Sequence, residues 1–326
     1  MRIRSSLVAV ASLALAAACS GSEPEAAAES GATMADRVAQ FAPVTLDFDA
    51  SLLDDRQKRV MRLLVEASDH LDAIYRLQVW RGNADPAAVL PDPGTPEAAA
   101  IHDYYELMYG PWDRIAEEEP FVAGVGPKPA GAGSYPEDMT KEEFEEWIGL
   151  NRGDAAAFTS YYTVIERDNG GLRAVPYSQA YVEQLESAAA ALRDAAEHAD
   201  NPSLERFLRL RAESFLTDDY FDSEIAWMRL EDNLIDPTIG PYEVYEDGLF
   251  GYKASFESFI GFKDPEASGL LAGLAARLPA LERALPIPDE HKYLDRDFTS
   301  PISVIDLVYG AGETRPGVQT IAFNLP

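Results

Sequence analysis

The sequence predicts a mainly α fold with a small β component (α+β), and three observations lead there. Apolar residues recur at helical spacing over most of the chain from Ser51 onward. Only a few short stretches are β-branched and aromatic, and one of these runs directly into a turn signal. With 47% hydrophobic and 25% charged residues over 326 positions, the composition is globular and the chain is long enough for a substantial core.

The first helix is predicted from Ser51 and Asp54, which resemble a capping box, followed by the stripe Val60, Leu63, Leu64, Ala67, Leu71, Ile74 and Leu77. Four prolines between Arg81 and Pro96 end it, and Glu97 to Tyr109 forms a second, shorter helix. A Pro/Gly loop spans Gly124 to Pro136. Thr140 then caps Lys141 to Ile148, with Glu143 as its partner in a second capping box. Tyr161 to Glu166 followed by Asp168-Asn169-Gly170-Gly171 predicts a β-turn or short hairpin. Ser178 to Asp200 is an alanine-rich amphipathic helix, Pro202 starts another toward Asp218, and a third begins near Asp222. Gly240 to Phe262 is dense in aromatics and reads as part extended, part helical. Leu270 to Ala284 is helical again, and Ile302 to Tyr309 has the composition of a buried strand. No repeat period is present.

The N-terminus carries an export signal. Arg2 and Arg4 precede an apolar run, Leu7 to Ala18, which is too short to span a bilayer. The only cysteine, Cys19, follows Ala16-Ala17-Ala18, an arrangement that resembles a bacterial lipobox although Ala16 stands where Leu is usual. Residues 1–18 are therefore expected to be a signal peptide, with lipidation at Cys19 anchoring the protein to a membrane. The stretch 19–42 is expected to be a lipidated N-terminus and flexible linker, and 43–326 the helix-rich domain. Ser20 after Cys19 points to the periplasmic face of an outer membrane. An ordinary signal peptide that happens to contain a cysteine is the alternative.

Charge excludes one class of partner. Against 27 basic residues stand 56 acidic ones, for a net charge of −29, and such a surface repels nucleic acid. His70, His102, His198 and His291 are scattered and form no H-E-x-x-H pattern, so no metal ligands are assigned in this chain. G-x-S-x-G is absent. Gly312 to Gly317 has phosphate-loop spacing, but Val318 and Gln319 replace the needed lysine and hydroxyl. Asp218, Asp219, Asp222 and Glu224 lack the loop glycine of a calcium site and read as a solvated helix end.

Two segments carry a more specific pattern. One is Ile239-Gly240-Pro241-Tyr242-Glu243-Val244-Tyr245-Glu246-Asp247, continued by Phe250-Gly251-Tyr252-Lys253-Ala254-Ser255-Phe256-Glu257-Ser258-Phe259-Ile260. The other comprises Asp297-Phe298-Thr299-Ser300, then Ile305 to Gly312 and Gly317 to Pro326. Together they resemble the dipeptidyl-peptidase III family of zinc exopeptidases, in particular its short bacterial members, from roughly Phe41 to the end and best after Ser223. The resemblance implies the helix-rich lobe of a two-lobed cleft peptidase that removes dipeptides from peptide N-termini. Glu243 and Tyr245 match the family's E-x-Y element, which holds the free amino end of a bound peptide and stabilises the reacting carbonyl. Asn324 matches the first Asn of N-x-P-N, which grips the peptide backbone. Core packing by Tyr242, Tyr245, Phe250 and Tyr252 is the competing reading of the first segment.

The family's zinc motifs lie downstream of N-x-P-N, and this chain ends at Pro326 within that element. Zinc, which would polarise the scissile carbonyl and activate water, is thus expected of the complete family member and not of this chain. The expectation is a truncated, substrate-binding portion with no catalytic residues of its own. The alternative is a non-catalytic exported lipoprotein that binds peptides or a protein partner.

Overall fold

The computed structural model describes residues 32–46, 48–293 and 303–317. Cys19, the expected signal segment, Asp297 to Ser300 and Asn324 lie outside the described residues. The first element, helix α1 (Met34–Val38), falls within the stretch expected to be linker. Thr33 and Asp36 close a reciprocal cap at its start, and Met34 is buried with Ala100, Tyr104 and Met108.

Helix α2 (Asp55–Val79) is the spine of the molecule. Its cap is Asp54 with Gln57, three residues later than the predicted box, while Ser51 sits in a preceding 3-10 turn capped by Asp49. The predicted stripe is the one that is buried: Val60, Leu63, Leu64, Ala67, Leu71 and Ile74 are all core residues. Truncating any one of the fully enclosed leucines costs ~2–5 kcal/mol. Helix α3 (Pro96–Met108) starts at the Thr95 cap with Pro96 in its first turn and ends on Tyr109, whose φ is 60°.

A two-rung antiparallel pair, β1 (Trp112–Asp113) and β2 (Glu119–Pro120), comes next. Thr140 caps helix α4 (Lys141–Leu150), but the Glu143 carboxylate turns to Arg167, 2.7 Å away, rather than closing the predicted box. After α5 (Ala155–Phe158), strands β3 (Thr163–Asp168) and β4 (Gly171–Pro176) form the expected hairpin. Asn169 and Gly170, with φ of 47° and 83°, are the two residues of a primed turn. The predicted helix from Ser178 to Asp200 is broken at Tyr181 into α6 (Tyr177–Ala180) and α7 (Val182–His198), and α8 (Pro202–Thr217) and α9 (Phe221–Met228) complete the helical layer.

The segment read as part extended, part helical is extended at both ends and contains no helix. Strand β5 (Ile235–Glu243) and strand β6 (Ser255–Lys263) pair antiparallel. Helical prediction fails there because its aromatic spacing serves two faces of a strand. Helices α10 (Pro265–Ala275) and α11 (Leu278–Ala284) replace the single helix expected from Leu270, and neither buries any residue. Strand β7 (Ile305–Gly312) joins the other edge of β6. It is less enclosed than predicted, since full burial begins only at Gly310.

One core joins these parts. The alanine face of α7 (Ala188, Ala191, Ala195) allows close approach to α2, and Phe207 and Phe215 of α8 pack with Phe256 and Ile260 of β6. The β5-β6-β7 sheet therefore lies on the helical layer through β6, its central strand. Among the described residues no helix is long and apolar enough to cross a membrane.

Candidate functional site

The site is built on the end of the β5–β6 hairpin. Register shifts between Pro241 and Glu243, leaving Tyr242 unpaired in a bulge. A bulge re-aims the side chains beyond it. Glu243 comes out half-buried opposite Ser255, and Tyr245 two residues later is 77% exposed. The negative charge of Glu243 reaches the Tyr245 hydroxyl and raises the phenol's pKa. Packing thus accounts for Phe250 and Tyr252, which line a satellite core, but not for Tyr245.

A third group was not singled out from the sequence. Glu257 stands near the start of β6, the central strand, only 3% exposed, with Gly240 directly opposite on β5 and Gly312 directly opposite on β7. The residue directly opposite it on each neighbouring strand therefore carries no side chain. Burial, and then the nearby Glu243 charge, push its carboxyl up to about 8. Among the described residues no ion pair reaches it. The signal was present in the sequence as a lone acid within the apolar run Phe256-Glu257-Ser258-Phe259.

The residues beyond Tyr245 are pinned. Glu246 is buried and accepts from Tyr75 Oη at 2.8 Å, with Arg114 Nη1 at 2.5 Å and Lys128 Nζ at 3.0 Å. Burial alone would raise this carboxyl, but Arg114 and Lys128 together hold it down at about 2. Asp247 accepts from four backbone N–H groups of its own loop, at Leu249, Phe250, Tyr252 and Lys253, and from Tyr135 Oη at 2.9 Å. Lys253 closes the loop from below, donating to Phe158 O at 2.7 Å and to Ser160 O and Thr163 Oγ1 at 2.9 Å. Burial pulls its pKa down to about 7, opposed by Asp247. The Thr163 hydroxyl gives its own proton to Ala157 O, so three acceptors face the nitrogen, as a charged ammonium requires.

Strand β5 is held on its other side by a buried cation. Arg211 is fully enclosed, paired with Glu224 and ringed by Phe207, Tyr220 and Tyr242. A Cβ on Gly240 would stand 2.4 Å from Arg211 Nη1, which is why the residue before Pro241 has no side chain. Gly312 has a backbone reason: its φ is 70°, and a Cβ would meet Phe256 O at 2.0 Å. Its N–H donates to Asp72 Oδ1 at 3.0 Å, tying the end of β7 to α2.

The histidines do not converge. His102 Nε2 contacts Pro91 O, His198 lies beside Asp194, His291 is exposed beside Glu290, and His70 lines a groove between α2 and α7. Among the described residues no three His, Cys, Asp or Glu side chains are placed to hold a metal, so these residues do not fit a zinc centre. The acids considered for calcium are also dispersed: Asp218 accepts from Ser178, and Glu224 faces Arg211 instead of solvent.

A family model and two solved structures point to the same family. The model of peptidase family M49 matches residues 166–319, a span that contains Glu243, Tyr245 and Glu257. The solved structure of DPP III from Caldithrix abyssi is 48% identical with a TM-score of 0.85, over 89% of this chain and 55% of that one. Dipeptidyl-peptidase III from Corallococcus sp. strain EGB is 40% identical with a TM-score of 0.82, over 90% of this chain and 55% of that one. A curated relative, Nudix hydrolase 3 of Arabidopsis thaliana, is 33% identical over 88% of this chain and 43% of its own length. The chain spans about half the length of these relatives. With its helical layer, its three-stranded sheet and its bulged E-x-Y strand, the chain is a relative of the dipeptidyl-peptidase III family, peptidase family M49, over the part of the fold that it shares with them.

Proposed function

We propose that this chain supplies the wall of a dipeptidyl-peptidase III-like exopeptidase that recognises the free amino terminus of a peptide. The observation that supports this reading most is Glu257, a buried carboxyl with glycine opposite it on both neighbouring strands and Glu243 beside it. A buried carboxyl beside a half-buried one lacks a cation among the described residues, and an α-ammonium has the charge and the three donors to satisfy them. Tyr245, exposed and within the field of Glu243, would donate its phenol proton to a peptide carbonyl once an ammonium sits on that carboxylate. Asn324 would grip the peptide backbone, and zinc held by a complete family member would supply the hydrolytic chemistry. Lipidation at Cys19 would place the protein on the periplasmic side of a membrane, which the mass of the mature N-terminal peptide tests.

Calorimetric titration with a short peptide and its N-acetylated form tests the recognition. The free peptide is expected to bind at least ~10-fold more tightly, the equivalent of one charge-assisted contact. Equal affinities would contradict the reading. Zinc-dependent release of dipeptides by a longer native form would then separate the peptidase from a non-catalytic peptide-binding lipoprotein.

A further inference from the structure

One extra residue in β5 decides which face Glu243 takes. Pro241 is directly opposite Phe256, and the next residue of β6, Ser255, is opposite Glu243 rather than Tyr242. In an unbroken antiparallel ladder Tyr242 would take that place. Glu243 would then fall on the face of Pro241 and Phe256, the side of the sheet that packs on the helices. Because Tyr242 is extra, Glu243 shares a face with Ser255, and so with Glu257 two residues along the same strand. The two carboxyls of the recognition site are on one face only because of the bulge.

The side chain of the extra residue has a defined seat. A Cβ on Gly240 would stand 3.2 Å from both Cζ and Oη of Tyr242, and closer still to Arg211 Nη1. The Tyr242 phenol therefore folds back along β5 into the space that Gly240 leaves open opposite Glu257. There its Oη donates to Ile239 O at 3.2 Å, and the Arg211 guanidinium lies 5.6 Å from its ring centre. Arg211 is fully enclosed and paired with Glu224, and among the described residues its Nε and Nη1 meet no hydrogen-bond acceptor. Ring faces take up that side of the guanidinium: Tyr242, with Phe207 at 5.4 Å and Tyr220 at 5.3 Å.

We propose that Tyr242, seated on Arg211, is a positioning residue for the recognition site: its ring locks the extra residue into β5 and so keeps Glu243 on the face of Glu257. The ring carries this role and the hydroxyl does not, since Arg211 meets the π face. The inference rests on the proposed function only in treating that face as the peptide's; the strand register is measurable without any peptide.

Paired cysteines read the register directly. E243C with S255C sets two thiols opposite each other, within reach of dibromobimane, which becomes fluorescent when both its arms have reacted. Cys19, the only native cysteine, is replaced by serine for this experiment. The pair is expected to cross-link readily with Tyr242 in place, equally fast in Y242F, and at least ~5-fold more slowly in Y242L. With Glu243 and Ser255 intact, Y242L is expected to weaken binding of the free-amino peptide by ~10-fold or more, and Y242F by less than ~3-fold. A ring that merely filled space would lower the melting temperature of Y242L and leave its cross-linking rate unchanged. Should Y242L not fold, Y242M, unbranched and closer in volume, asks the same question. Equal cross-linking with and without the ring, or slow cross-linking in Y242F, would overturn the inference. Failure of the peptide titration with a register that follows residue 242 would count against the proposed function alone.

Discussion

Two buried glutamates on the same hairpin have opposite electrostatics. Glu246 is 8% exposed and Glu257 is 3% exposed, so desolvation acts on both. Glu246 meets Arg114, Lys128 and Tyr75 and is held at about 2; Glu257 meets Glu243 and is driven to about 8. The difference is in their partners. A carboxylate surrounded by its own cations is a structural joint, whereas one left beside another carboxylate is held ready for a cation from outside.

The largest way to sharpen this contrast is to neutralise each in turn. Glu246→Gln leaves Arg114 and Lys128 facing an uncharged amide in a buried setting, and is expected to lower stability by ~3 kcal/mol in denaturant unfolding at pH 7. Because the folded pKa of Glu246 lies below its unfolded value, that contribution is present above about pH 4.5 and is lost as pH falls toward about 2. Glu257→Gln should act in the other direction. Its folded pKa is raised, so the native protein binds the extra proton between about pH 4.5 and about 8, and ionisation costs stability as pH climbs through that window. The variant is expected to be more stable than wild type by ~2–4 kcal/mol at pH 9 and unchanged at pH 4, while losing peptide affinity. Destabilisation at pH 9 would mean that Glu257 has a partner and the contrast is false.

A smaller effect probes the floor of the strand. Gly240→Ala forces the Arg211 guanidinium away from its seat against the backbone, and a cost of ~1–3 kcal/mol is expected from the melting temperature. Smaller still is Tyr245→Phe. With its ring mostly in solvent, the change should alter stability by less than ~0.5 kcal/mol in denaturant unfolding, while a drop in affinity for a free-amino peptide is read by the same calorimetric titration.

The sequence and the structure agree where the signal is local. Thr140 and Pro202 mark helix starts, Asn169-Gly170 marks the hairpin, and the α2 stripe fixes which face is buried. Disagreement sits where tertiary contacts decide. The Gly240–Phe262 segment pairs as two strands because Phe256 and Ile260 find a core made by distant helices, which no local period records. The site was half legible: Glu243 and Tyr245 came from a motif, whereas Glu257 is recognisable only once Gly240 and Gly312 are seen opposite it. Nothing local in the sequence marks Glu246 and Asp247 as buried acids, because Arg114, Lys128 and Tyr135 come to them from distant elements.

The most direct test of the central claim is proton-linked binding. Titrating a free-amino peptide into the protein at pH 7, in two buffers of different ionisation enthalpy, counts the protons exchanged. If Glu257 is an acid awaiting a cation, it gives up its proton to the buffer as the ammonium binds, and just under one proton should be released. Affinity should rise about 10-fold per pH unit toward a maximum near 8, where the peptide amine in turn begins to lose its charge. Binding with no proton released and no change between pH 6 and 8 would contradict the account.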